Sequence, residues 1–298
     1  MGNCIGGIKN SVPSTPSARA NQIDEKFFYY INGLSDDVEM CVFSYLKLSD
    51  LRNVCLSDKR RNEVVSTLRY KGSPSLKDSV VYRDFAFNSR DWKTYCKKDV
   101  DTEGEDAFFF KNIYKELNKP CPAFPGKRIG QTHMVTWVPK TINGEPLTLN
   151  SFGGVLKEKF PENPTGYRAI WNPIVIAHGN TGVLKSGWVF MTGDVIPESR
   201  YKPYTIQEGL VANLDRHDPY EVPTTLKAVV CISTKYFKSG ERRFSDKPCT
   251  YTRCQERTQS YPVIVGAFSA VHGPEVDDDR YGQDINGVGA LRSSVLDT

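Results

Sequence analysis

Residues 34–51 read Leu34-Ser35-Asp36-Asp37-Val38-Glu39-Met40-Cys41-Val42-Phe43-Ser44-Tyr45-Leu46-Lys47-Leu48-Ser49-Asp50-Leu51. Leu34, Val38, Val42 and Leu46 recur every fourth residue, with Cys41 and Tyr45 beside them, which is one apolar face of a helix. The Ser35 hydroxyl followed by Asp36, Asp37 and Glu39 suits a helix N-terminus, where free backbone N–H groups favour acceptors and negative charge. Ser49 opens a second short helix, with Leu51, Val54 and Cys55 on a shared face. A third segment, 57–68, carries Val64, Val65 and Leu68, and Gly72 and Pro74 end the block. Helices this short bury little apolar area among themselves, so residues 26–72 need a further surface to cover them.

Toward the N-terminus, residues 1–25 read as a flexible tail rich in Gly, Ser and Pro. It begins Met1-Gly2-Asn3-Cys4-Ile5-Gly6. Gly2 beside Cys4 resembles the start of dually acylated chains, although Gly6 stands where the myristoylation pattern asks for Ser or Thr. A single myristoyl chain binds membranes only marginally, and a palmitoyl group on Cys4 would supply the second anchor. The start lacks a basic stretch followed by an apolar core, so no secretory leader is expected, and no apolar run approaches the roughly 20 residues of a membrane-spanning helix.

Toward the C-terminus, residues 73–120 form a connecting segment. Tyr82, Phe85, Phe87, Trp92 and Tyr95 alternate there with charge, and 108–117 has helical spacing before Pro120. With a net charge of only +4 on 298 residues, this reads as a packing layer, not a nucleic-acid surface. Residues 121–298 read as one α+β unit. Strands are expected at 133–138, 188–191, 261–268 and 287–291. Helices are expected at 149–160 and 205–214, with another opened by Pro223. Asn143-Gly144 is a turn signal. The fold class is α+β: a three-helix N-terminal module, then a mixed or antiparallel sheet with packed helices.

The eight cysteines are scattered, and only Cys249 and Cys254 are close. Zinc sites use two close ligand pairs, so reduced thiols in a cytoplasmic setting are expected, with no metal or cofactor.

Residues 34–46 resemble the opening of an F-box in Leu34, Asp37, Val42, Phe43, Ser44, Tyr45 and Leu46, and Asp50-Leu51 and Lys59-Arg60 continue the match. Ser35 replaces the family's usual Pro, Ser57-Asp58 its Val-Cys, and Arg61 a common Trp. The resemblance implies a substrate-recruiting subunit of a ubiquitin ligase. Leu34, Val38, Val42, Phe43, Leu46, Leu51 and Val54 would then bind a Skp-type adaptor joined to a cullin ligase, and a protein substrate would be held elsewhere. The phrases Cys121-Pro122-Ala123-Phe124-Pro125-Gly126-Lys127, 139–150, 188–192, Tyr220-Glu221-Val222-Pro223 and 251–256 resemble a C-terminal module of multicopy proteins from amoeba-infecting chlamydia-like bacteria. That resemblance implies an effector released into a host cytosol, where host enzymes would acylate Gly2 and bring it to a membrane.

No catalytic residue is assigned. The alternatives are a thiol enzyme and a membrane-tethered interaction protein without a ligase link. For the thiol enzyme, Cys254 lies in a polar phrase, with His133, His178, His217 and His272 as candidate bases. Cys231 lies in an apolar run and reads as core. Ile176-Ala177-His178-Gly179-Asn180-Thr181-Gly182 faintly resembles a hydrolase oxyanion loop, but no Gly-x-Ser-x-Gly elbow accompanies it, and a Gly-rich turn after a strand is expected. Asp277-Asp278-Asp279 lacks the alternate spacing of a calcium loop and reads as solvated.

Overall fold

The computed structural model describes residues 86–105, 113, 115–280 and 286–294, all within the second of the two units into which the chain divides, Lys77–Thr298. Gly2, Cys4, Leu34, Val38, Val42, Phe43, Leu46, Leu51 and Val54 lie outside the described residues.

The first described segment is drawn into the core. Ala86, Phe87, Trp92 and Cys96 are buried with the residues that follow. A short helix α1 (Ser89–Asp91) starts from a reciprocal cap. The Asn88 side chain accepts from Asp91 N–H, and the Asp91 carboxylate accepts from Asn88 N–H. A π-turn at Trp92–Cys96 follows. Helix α2 (Ile129–Thr132) runs directly into strand β1 (His133–Val138), buried along its whole length.

β2 (Thr141–Ile142) and β3 (Glu145–Pro146) form the hairpin signalled by Asn143-Gly144. Both turn residues have positive φ, 50° and 83°, the geometry that twists a two-residue turn to match its strands. Helix α3 (Leu149–Lys159) is capped by the Thr148 hydroxyl on Ser151 N–H. Its Gly153 is required by a neighbour, since a Cβ there would stand 2.8 Å from the Thr165 carbonyl oxygen.

β4 (Ala169–Ile170) precedes helix α4 (Asn172–His178), β5 (Gly187–Thr192) and helix α5 (Tyr204–Ala212). The turn at 179–182 therefore follows a helix, not the expected strand, because Pro173 falls in the first turn, where its missing N–H would be unsatisfied anyway.

Helix α6 (Thr225–Ser239) organises the unit. Thr225, Leu226 and 228–234 are all buried, and the helix packs on β1 and β5 on one side and on the remaining large strands on the other. A helix apolar nearly all round belongs between two layers. Gly240, with φ 69°, ends it in the left-handed conformation common after helices.

The rest is sheet. β6 (Tyr251–Thr258), β7 (Tyr261–Ser269) and β8 (Gly273–Asp278) form an antiparallel meander, and β4 joins β8 in parallel, giving the order β4-β8-β7-β6. β9 (Leu291–Ser294) pairs antiparallel with β5 in the sheet β1-β5-β9. The expected strands at 133–138, 188–191 and 261–268 are present, and so are the helices at 149–160 and 205–214. The last strand begins at Leu291 rather than Gly287.

Residues 286–290 form a buried seam that reaches both sheets. The N–H groups of Val288, Gly289 and Ala290 donate to the hydroxyls of Ser199 (3.2 Å), Thr252 (2.8 Å) and Thr192 (3.0 Å). The Asn286 carbonyl accepts from Gln207 Nε2 at 2.8 Å, and the Gly287 carbonyl from Arg253 N–H at 3.0 Å. A segment outside regular ladders must be satisfied this way to be buried.

Candidate docking surface

Cys254 was the sequence's thiol candidate, and its position in the fold removes that role. It faces inward from β6, fully buried, with its Sγ 3.9 Å from the Thr252 carbonyl. Burial first, and then the Glu256 carboxylate, push the thiol well above its ordinary value. Of the polar phrase Arg253-Cys254-Gln255 only Gln255 is exposed, and Arg253 is buried in its pair with Asp279. Cys231 is core, as expected, and burial raises its thiol to about 12.

The histidines are occupied elsewhere or exposed. His133 Nδ1 lies 2.9 Å from the Thr132 hydroxyl, and Nε2 lies 3.1 Å from the Tyr220 hydroxyl. The Thr132 hydroxyl can donate to the Arg128 and Ile129 carbonyls. Nδ1 is therefore the protonated nitrogen, and Nε2 accepts from Tyr220. Burial, reinforced by the Arg292 guanidinium, lowers the imidazole to about 3. Arg292 is itself held by Glu116 (2.8 Å) and Asp218 (2.9 Å), which also share Lys119. His217 and His272 are exposed.

The expected solvated loop at Asp277-Asp278-Asp279 is corrected. Asp278 ends β8 and Asp279 follows it, both buried. Asp279 pairs with Arg253 at 2.5 Å and accepts from Asn286 at 2.9 Å. Asp278 pairs with Arg280 at 2.7 Å and accepts from Thr258 at 2.8 Å. Arg253, 26 residues away, and Arg280, two residues along, make burial of these carboxylates possible, since a buried charge needs a partner.

Arg280 and a second arginine, Arg257, each lie on an aromatic ring. Arg280 lies over the ring of Trp171, 4.1 Å from its centre, and Arg257 over Tyr204 at 4.8 Å. Trp171 is the N-cap of α4, and the last residue of that helix, His178, sets Nε2 3.0 Å from the Arg257 carbonyl. Thr258, beside Arg257, reaches Asp278 and so joins the two halves. On the same elements, Trp171 is 38% exposed, Ile176 78% and Tyr261 40%. Exposed aromatic and aliphatic groups interleaved with arginines are the composition of protein-binding patches.

Among the described residues, no group of three or more His, Cys, Asp or Glu is placed to hold a metal, and no helix is long and apolar enough to cross a membrane. Sequence reasoning missed Trp171, Tyr204, Arg257 and Arg280, because each ring and its cation come from separate elements. No protein-family model, curated protein or solved structure matches the chain.

Proposed function

We propose that this chain recruits a protein substrate to a Skp–cullin ubiquitin ligase, as an effector acting in the cytosol of a eukaryotic host. The observation that carries the reading is the order Leu34, Asp37, Val42-Phe43-Ser44-Tyr45-Leu46, Asp50-Leu51, which resembles an F-box. Leu34, Val38, Val42, Phe43, Leu46, Leu51 and Val54 bind the adaptor. The exposed surface around α4 and Arg257 is suited to holding the recruited protein. Catalysis then belongs to the other ligase subunits, in keeping with the burial of Cys231 and Cys254. Gly2 and Cys4 carry the lipids that hold the complex at a host membrane.

The test is co-purification with a Skp-type adaptor from eukaryotic cells. The wild-type chain is expected to retain the adaptor, and L34D/L46D to lose it. No binding at micromolar concentrations would sink the reading. The intact mass of the same preparation shows whether Gly2 and Cys4 are acylated, and an unmodified N-terminus removes the membrane element.

A further inference from the structure

We draw no further inference here: the strongest candidate, the segment at the start of α5 that exposes Tyr201 and Ile206, has acidic Glu198 and Glu208 beside basic Arg200 and Lys202, so its charge selects no partner, and nothing in the structure shows what covers it.

Discussion

Arg253 and Asp279 are a buried ion pair with almost no water around them. Arg253 also donates to the Lys202 carbonyl at 2.9 Å, and Asp279 accepts from Asn286. Removing one partner strands a buried charge, which costs about 3–5 kcal/mol, whereas replacing both with apolar groups is often neutral. Arg253→Met is therefore expected to lower stability by that amount in urea unfolding, and Arg253→Met with Asp279→Leu to recover most of it. A single variant as stable as wild type would show that the pair is not the anchor described. His133 gives the pH dependence at this scale. Its imidazole is lowered from 6.5 to about 3, so the unfolded chain takes up a proton that the folded chain refuses. Stability is complete above pH 6.5 and falls as pH drops from 6.5 toward 3, by about 1.4 kcal/mol per pH unit from this group. Proton NMR should find the His133 ring neutral at pH 5. A titration midpoint near 6.5 would contradict its burial between Thr132 and Tyr220.

Among the elements, the seam at 286–290 is the most exposed to single changes. Its N–H groups depend on three separate hydroxyls, so Thr252→Val leaves the Gly289 N–H buried without an acceptor. That loss is expected to be about 1–3 kcal/mol. Gly287 is held by space. A Cβ there would stand 2.7 Å from the Val195 side chain and 2.9 Å from Ser199 Oγ. Gly287→Ala is expected to destabilise by about 1–3 kcal/mol through forced displacement of its neighbours. Thermal unfolding measures both, and unchanged midpoints would mean that the seam is not packed as described. Helix α6 rests on a different device. The Glu256 carboxylate accepts from Thr225 N–H and from its hydroxyl, both at 2.7 Å, and so places negative charge at the helix N-terminus.

Across the whole unit, residues 86–96 belong to the core. Phe87 N–H donates to the Val135 carbonyl at 2.8 Å, and its own carbonyl accepts from Trp137 N–H at 2.7 Å. Lys238 on α6 clasps the segment from the other side, reaching the Ala86 carbonyl at 2.8 Å and Asp91 at 2.7 Å. Trp92 donates its indole N–H to the Trp137 carbonyl at 2.9 Å and packs edge-on against Phe152. A chain shortened to begin at Lys77 should unfold in one cooperative transition. A chain beginning at Asp99 loses Phe87 and Trp92 from the core, each worth about 3–5 kcal/mol, against a total stability of about 5–15 kcal/mol. It is expected not to hold the native fold by near-UV circular dichroism, and a native spectrum from it would refute the account.

Much of this was legible along the chain. Apolar runs at 133–138 and 261–268 announced strands, Asn143-Gly144 announced a hairpin, and Leu226, Val229 and Val230 after Pro223 announced the central helix. Each signal is local, carried by the spacing of side chains or by one turn conformation. The F-box resemblance at 34–51 is likewise a property of residue order alone. What lay beyond the sequence was every feature made by distant partners. No strand was expected at Tyr251–Thr258, whose polar residues pair with β7 and with the seam. Asp279 reads as solvated until Arg253 neutralises it, and Cys254 reads as reactive until the strand turns it inward. Arg257 gains its place on Tyr204 the same way. The sequence by itself determined the helices and strands whose signal lies in local spacing or one turn, because those depend on neighbours along the chain. The tertiary structure alone decided which charges are buried and which guanidinium faces solvent, because desolvation and pairing depend on residues that meet only in the fold.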